Sequence, residues 1–327
     1  MTASTPTSLF QPLYTWHVAL VTRHIDECVR RLWDDFGVGP WQYVKFDFAK
    51  GDARVYGEAM AFAVQAAVTQ VGFMTLGFDQ PLSTPNPYSQ MIDARGGGAH
   101  HLAFAIADEE AARRQMRALG LREIFAADGI GPSREGQAGY FDTRAELGTY
   151  IELSKVPAEL PPPGPVFPEP GAARSCPVSV RGTSHIVIAV RDLDSTMRNF
   201  ERLLGISRWR IDSRTAPAVY RGMPITYSSK TATAMAGQYV LMLEQPTSPE
   251  GPVSEFLSLH GPAIHRIAFV VDSIAAAGPE LAKRGHRELL RVADGSDAGT
   301  AISVLDTERT VGVTIELRER PVETAAA

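Results

Sequence analysis

The sequence lacks cysteine pairs, long apolar runs and an N-terminal secretion signal. Its 327 residues include two cysteines, Cys28 in a predicted helix and Cys176 in a linker, which is too few for a disulfide framework. No stretch approaches the ~18 consecutive apolar residues of a membrane-spanning helix. Residues 1–12 contain no basic region followed by an apolar core. These absences predict a cytoplasmic protein that does not contact a membrane.

An excess of positive charge is missing as well. The formal net charge is -5 at pH 7, and the isoelectric point of about 5.9 disfavours binding to nucleic acid or to an anionic membrane. Hydrophobic residues make up 44% of the chain, which is enough to fill the cores of two domains. The expected partner is a small-molecule substrate, bound by a chain that is either a monomer or a homodimer.

An internal repeat organises the chain. A strand, a helix and three further strands are predicted twice before residue 156, and a proline-rich stretch around Pro161, Pro162 and Pro163 follows. The same pattern then begins again with Thr-Ser-His-Ile-Val at 183–187. So long a period indicates a duplicated domain. We predict an N-terminal domain over 14–155, a linker over 156–180 and a C-terminal domain over 181–320.

Three apolar strands of the first half each carry one side chain that can bind a metal. His17 opens one strand, His101 begins a second after a run of three glycines, and Glu152 lies within Ile-Glu-Leu in a third. Two imidazoles and a carboxylate leave coordination positions open, which suits catalytic Zn²⁺ or Mn²⁺ and also Fe(II). The alternative is a buried Glu152 that is hydrogen-bonded to either histidine without a metal. His100 is expected on the opposite face of the strand from His101.

These motifs resemble the vicinal oxygen chelate superfamily, which includes glyoxalase I, methylmalonyl-CoA epimerase, extradiol ring-cleavage dioxygenases and bleomycin-resistance proteins. The segments Phe-Gly-Val-Gly-Pro-Trp at 36–41 and Gly-Ala-His-His-Leu-Ala-Phe at 98–104 are most similar to the epimerase branch. The resemblance implies an α+β fold in which tandem paired βαβββ modules form two incomplete barrels. In that family, a barrel holds a divalent metal through one ligand on each of four strands.

The four ligand positions of the family are occupied by different residues in the two halves of the chain. In the first half they correspond to His17, Gly77, His101 and Glu152. In the second half they correspond to His185, Met242, Arg266 and Glu316. Because a guanidinium cannot bind a metal, the resemblance predicts a metal in the first domain only, and an ion pair between Arg266 and Glu316. The expected ion is Zn, Mn, Fe, Co or Ni, and two histidines and a glutamate do not determine which of these metals binds.

The resemblance implies a metal-dependent isomerase, epimerase or lyase that acts on a small oxygenated substrate by proton transfer. Glu58 aligns near the catalytic glutamate of the epimerases and is the predicted base, although residues 59–78 contain no counterpart of the epimerases' lysine. One alternative is an Fe(II)-dependent extradiol-type dioxygenase, which also uses a His-His-Glu set. The other is a non-catalytic protein that binds a small, antibiotic-like molecule in an aromatic pocket.

Overall fold

The computed structural model describes residues 14–49, 52–130, 132–156, 164–173, 176–292 and 301–319. No helix in this described part is long and apolar enough to cross a membrane. The helices are α1 (Ile25–Phe36), α2 (Ser89–Arg95), α3 (Glu109–Ala118), α4 (Arg144–Leu147), α5 (Leu193–Leu204), α6 (Pro252–His260), α7 (Ile274–Lys283) and α8 (Glu308–Val311).

The strands form two sheets, one in each half of the chain. The first contains β1 (Tyr14–Thr22), β2 (Trp41–Phe48), β3 (Ala53–Val55), β4 (Glu58–Ala59), β5 (Phe62–Val71), β6 (Met74–Pro81), β7 (Gly97–Ala105), β8 (Arg122–Ile130), β9 (Gly136–Thr143), β10 (Thr149–Lys155) and β11 (Val166–Phe167). The second contains β12 (Gly182–Ala189), β13 (Arg210–Tyr220), β14 (Met223–Ala236), β15 (Tyr239–Pro246), β16 (Ala263–Val271), β17 (Glu288–Val292), β18 (Ile302–Leu305) and β19 (Thr314–Glu319).

The helix α1 follows directly from the sequence pattern. Its buried residues include Val29, Leu32 and Phe36, which recur at helical spacing on one face. The helix ends at Gly37, which adopts a left-handed conformation with φ of 63° and whose backbone N–H bonds back to the last turn. The equivalent helix α5 of the second half ends in the same way at Gly205.

The centre of each sheet brings the predicted ligand positions onto neighbouring strands. The order of the first sheet is β11-β2-β5-β6-β1-β7-β10-β9-β8-β3-β4. In it, β1 pairs in parallel with β6 and antiparallel with β7, and β7 pairs in parallel with β10. The second sheet repeats this centre as β15-β12-β16-β19. The repeat seen in the sequence is therefore a repeat of strand pairing.

The two sheets differ in whether they close. In the second half, β13 pairs with β17 through residues such as Ala218 and Val292, and the eight strands form a complete barrel. In the first half, β3 and β4 form a small hairpin at the sheet edge, and the sheet stays open. The predicted α+β fold with two sheet-based domains is confirmed, and the second domain is more fully closed than expected. The predicted domain limits remain predictions.

One predicted strand is interrupted. The sequence pattern indicates a continuous strand over 54–64, whereas the chain turns between Val55 and Glu58 and the long strand β5 begins at Phe62. Tyr56 and Gly57 both have positive φ angles, 52° and 89°, as a two-residue hairpin turn of type I′ requires. Because tyrosine is not a usual residue at this position, the sequence pattern does not reveal the turn.

The two halves pack against each other through glycines and through the buried carboxylate of Asp35. Gly98 and Gly312 lie back to back, since a Cβ atom on Gly312 would be 3.1 Å from the Cα atom of Gly98. Asp35 of α1 accepts hydrogen bonds from His286 at 2.7 Å and from Arg284 at 3.2 Å. One hydrophobic core runs through both halves. The second half therefore supports the strand that carries His101.

Candidate metal centre

His17, His101 and Glu152 come together where β1, β7 and β10 run side by side. Ala19 of β1 and Tyr150 of β10 are the register partners of His101. The two histidine Nε2 atoms are 3.1 Å apart. Glu152 Oε2 lies 3.5 Å from the Nε2 atom of His17 and 2.8 Å from that of His101. Among the residues that the structure describes, this is the one group of three metal-binding side chains whose ligand atoms all lie within 4.8 Å.

The three ligand atoms fit a single metal ion. Nitrogen and oxygen ligands lie about 2.0–2.2 Å from Zn²⁺, so two ligands of one ion are separated by roughly 2.8–3.6 Å at octahedral or tetrahedral angles. The separations of 2.8, 3.1 and 3.5 Å in the cluster match this range. His17, His101 and Glu152 can therefore hold a divalent metal ion and leave positions open for a substrate.

The electrostatics of the cluster favour the forms that bind a cation. Burial opposes ionisation of Glu152, but interactions with His17 and His101 outweigh it and lower the pKa of the carboxyl to about 2. Burial lowers the pKa of His17 to about 4, despite the opposing effect of Glu152. At neutral pH the carboxylate is ionised and the His17 imidazole is neutral, as metal binding requires. Ser154 donates a hydrogen bond to Oε1 of Glu152, so Oε2 is the oxygen that faces the histidines.

His100 supports His101 from behind the cluster. The strand β7 bulges at His100, because Ala19 pairs with His101 while the next residue, Leu20, pairs with Ala99. The Nδ1 atoms of His100 and His101 are 2.9 Å apart. If Nε2 of His101 binds a metal, its Nδ1 carries the proton and donates this hydrogen bond to His100. His100 also lines a separate cavity, but the bulge turns its ring against His101, so the two side chains do not lie on opposite faces as predicted from the sequence.

The cluster opens into a cavity of about 210 Å³. His17 and Glu152 line this cavity, whereas His101 is fully buried behind them. Most of the wall is apolar, which allows it to bind the apolar part of a ligand and to exclude water. The aromatic side chains of the wall are Phe46, Phe48, Phe62, Tyr88, Phe125 and Tyr140.

Asp79 is a second carboxylate in the cavity wall, and it is not among the site residues predicted from the sequence. It lies two residues after Gly77 on β6, and residues two apart share a face of a strand. Both line the cavity, and a Cβ atom on Gly77 would be 3.9 Å from the His17 ring. Tyr88 donates a hydrogen bond of 3.2 Å to Oδ2 of Asp79. Burial raises the pKa of Asp79 to about 6.

Glu58, the predicted base, lies elsewhere. It is exposed on β4, in the hairpin at the sheet edge, and does not line the cavity. The structure therefore does not bring Glu58 together with the cluster. The sequence contains a signal for Asp79 instead, because Phe-Asp-Gln-Pro at 78–81 aligns with Leu-Glu-Gln-Pro at 243–246. An acidic residue thus recurs at the same position of both halves.

The equivalent place in the second half holds a network of ions. The Nε atom of Arg266 donates a hydrogen bond of 2.5 Å to Glu316, which is the ion pair predicted from the sequence. Its Nη2 atom donates to Glu244, which also accepts a hydrogen bond from Tyr227. His185 Nε2 lies 3.7 Å from Glu316. The guanidinium thus pairs with two buried carboxylates at the position that His101 has in the first half, and Arg318 supplies a second positive charge beside Glu316.

Comparison with known proteins agrees with this fold. The family model of the Glyoxalase/Bleomycin resistance protein/Dioxygenase superfamily matches residues 16–141 and 184–304. A triple mutant of 4-hydroxymandelate synthase from Streptomyces coelicolor is similar over 95% of this chain and 93% of its own, with 18% identity and a TM-score of 0.61. The Mn(II)-bound glyoxalase from Novosphingobium aromaticivorans is similar over 95% of this chain and 83% of its own, with 12% identity and a TM-score of 0.50. No curated protein sequence matches the chain.

Proposed function

The chain belongs to the glyoxalase/bleomycin resistance protein/dioxygenase superfamily, and we propose that it is a metal-dependent isomerase, epimerase or lyase. His17, His101 and Glu152 hold one divalent metal ion, and the substrate is a small oxygenated compound with an apolar or aromatic body. The observation that carries this proposal is the convergence of three ligand atoms, 2.8 to 3.5 Å apart, on a cavity with largely aromatic walls.

The cavity offers a proton acceptor beside the proposed metal. A divalent metal bound to the cluster would polarise an oxygen of the substrate and acidify the adjacent C–H bond. Asp79 lies in the same cavity, and a pKa raised to about 6 suits a carboxyl group that takes up and returns a proton near neutral pH. Since Tyr88 binds Oδ2 of Asp79, we assign the proton transfer to Oδ1. Asp79 takes the role that the family resemblance suggests for Glu58.

A ring-cleaving dioxygenase is the second candidate. Two histidines and one carboxylate are also the ligand set of Fe(II) oxygenases, and an aromatic wall suits an aromatic substrate. A protein that binds a small molecule without turnover is the third candidate, and it would need the cavity but not the metal. The three candidates differ in the metal they hold and in whether they consume oxygen.

Metal analysis of protein purified without oxygen tests the proposal. We expect about one divalent ion per chain, lost in His17→Ala and retained in His185→Ala, the matched change on the equivalent strand of the second half. Zinc, manganese, cobalt or nickel supports the isomerase, epimerase or lyase. Iron together with oxygen consumption supports the dioxygenase. No bound metal under any loading condition would contradict both enzymes and leave a binding protein.

Asp79→Asn tests the proton transfer. With a substrate that incorporates deuterium from D₂O, we expect this variant to retain its metal and to exchange deuterium about 100-fold or more slowly. Asp47→Asn is the control, because Asp47 is exposed on β2 and does not line the cavity. Exchange at the wild-type rate in Asp79→Asn would contradict the assignment.

A further inference from the structure

A second cavity, of about 240 Å³, lies between the two halves of the chain. Residues of α2, β7 and β10 line it from the first half, and residues around the turn between α6 and β16 line it from the second half. We call it the interhalf cavity, and its polar lining includes Arg95, His100, Arg144, Tyr150 and His260. No aspartate or glutamate of the described residues lines it. A cavity with guanidinium and N–H donors and no carboxylate is complementary to an anion.

Arg95 supplies a positive charge that no close carboxylate neutralises. Within the described residues, its guanidinium has no carboxylate oxygen within 4.0 Å, and Nη2 faces only the sulfur of Met91, at 3.7 Å. Burial lowers the pKa of Arg95, although the more distant charge of Glu308 acts in the opposite direction, so desolvation disfavours the charge of the guanidinium. Gly98 leaves room for the guanidinium, since a Cβ atom there would be 3.3 Å from Nη2. A bound anion would compensate this charge.

Arg144 presents a second guanidinium in a fixed orientation. Its Nε and Nη2 atoms donate hydrogen bonds of 2.8 and 2.7 Å to the two oxygens of Asp142. The guanidinium carbon lies 4.7 Å from the centre of the Tyr150 ring, a cation–π distance. These contacts leave Nη1, with two further N–H donors, for a ligand.

His100 contributes a buried donor. Its side chain is 1% exposed, its ring stacks on Tyr150 with centroids 4.4 Å apart, and Nε2 has no hydrogen-bond partner within the described residues. An unpaired buried polar atom is costly and calls for a partner. When Nδ1 of His100 accepts the hydrogen bond from His101, the proton of the neutral ring is on Nε2, which makes this atom a donor.

We propose that the interhalf cavity binds a small oxyanion of the phosphate type, through Arg95, the Nη1 group of Arg144 and the Nε2–H group of His100. A larger groove of about 1250 Å³ adjoins Arg95, but carboxylates such as Glu27, Glu255 and Glu308 line it beside its guanidinium groups. Among the described residues no carboxylate lines the smaller cavity itself, although Glu308 lies 3.3 Å from Nε2 of His260 in its wall. The smaller cavity is therefore the better site for an anion.

The anion site is linked to the proposed metal through two histidines. An anion that accepts the Nε2–H bond of His100 makes Nδ1 more basic, strengthens the hydrogen bond from His101, and makes Nε2 of His101 a better metal ligand. The anion should therefore tighten metal binding, and the metal should tighten anion binding by the same factor. This link and the donor role of His100 rest on the proposed metal function, whereas anion binding by Arg95 and Arg144 does not.

Calorimetry with the metal-free protein tests the anion site. We expect saturable binding of inorganic phosphate, weakened about tenfold or more in Arg95→Gln and unchanged in Arg54→Gln, a change of an exposed arginine on β3. Tighter binding of glycerol phosphate would identify a phosphoryl group of an organic ligand, and tighter binding of inorganic phosphate would identify the free ion. Absence of saturable binding at millimolar phosphate, or equal binding by Arg95→Gln, would overturn the site.

Manganese titrations test the link separately. We expect sulfate, compared with chloride at equal ionic strength, to raise the affinity for Mn²⁺ about fivefold in the wild type and to have no effect in His100→Phe, which keeps an aromatic ring on Tyr150. An affinity that sulfate does not change in the wild type would overturn the link and leave the anion site. Failure to bind any metal would overturn both the link and the proposed function, while the calorimetry would still decide anion binding.

Discussion

His101 and Arg266 occupy the same position in the two halves, and each contacts the carboxylate of the corresponding last strand. His101 Nε2 is 2.8 Å from Glu152 Oε2, and Arg266 Nε is 2.5 Å from Glu316 Oε2. Each follows a bulge in its strand, where the register with the neighbouring strand shifts by one residue. The two halves thus share one geometry and differ in whether this side chain is a possible metal ligand or a permanent cation.

Arg266→His should create a second metal-binding position. The imidazole would face His185 and Glu316, and Glu244 would remain as a further carboxylate beside them. Elemental analysis after metal loading should show the content rising from about one toward two ions per chain. Arg318→Gln is the control, because Arg318 contacts Glu316 from the end of β19 and leaves Arg266 in place. An unchanged metal content in folded Arg266→His protein would contradict the equivalence of the two halves.

His101→Arg should make the reciprocal change. The guanidinium should pair with Glu152, as Arg266 pairs with Glu316, and Asp79 should correspond to Glu244. We expect a folded protein that binds no metal and melts at a higher temperature than His101→Ala, in which Glu152 loses a buried partner. Thermal unfolding and elemental analysis measure both effects. Retention of the metal in His101→Arg would contradict the assignment of this ligand.

Asp35→Asn should weaken the contact between the halves. The Asp35 carboxylate is buried and accepts hydrogen bonds from His286 and Arg284 of the second half. The amide is a weaker acceptor than the buried carboxylate for the donors of His286 and Arg284, and we expect the free energy of unfolding to fall by about 1–3 kcal/mol. Urea unfolding measures this loss. The control is Asp34→Asn, a change of the exposed neighbour, which should alter the free energy of unfolding by less than about 0.5 kcal/mol. Equal effects of the two changes would refute the role of Asp35.

Glu109→Gln should stabilise the protein at alkaline pH. Glu109 is buried at the start of α3, and burial raises its pKa to about 7 despite the opposing charge of Arg113, while Asp128 and Glu123 add to the rise. Between pH 4.5 and about 7, the folded state therefore keeps a proton on Glu109 that the unfolded state releases. The stability that this protonated group contributes is lost as the pH rises through 7.

Replacing the carboxyl of Glu109 by an amide removes this loss. We expect the melting temperature of Glu109→Gln to exceed that of the wild type by about 2–6 °C at pH 9, and the two to converge at pH 5. Glu110→Gln is the matched control, because Glu110 is exposed and pairs with Arg114. A gain of the same size at both pH values would show that the effect does not arise from ionisation of Glu109.

Local patterns in the sequence were sufficient for most strands and helices and for the metal-binding types of residue on them, but not for the turn that interrupts the predicted strand over 54–64. The apolar residues of α1 recur at helical spacing, and His17 and Glu152 each interrupt an apolar strand with a polar side chain. Burial on one side of an element imposes such a period on the residues themselves, so it can be recognised without the fold. The internal repeat then indicated that the fold is built from duplicated modules, because each landmark occurs a second time.

The direction of individual side chains depended on the folded chain. The turn at Tyr56 and Gly57 carries Glu58 to the exposed edge of the sheet, and the bulge at His100 brings that ring against His101. Asp79 enters the cavity because β6 pairs with β1, more than 50 residues before it in the chain. Register and bulges are set by pairing between strands that are distant in sequence, and the pattern within one strand does not contain that information.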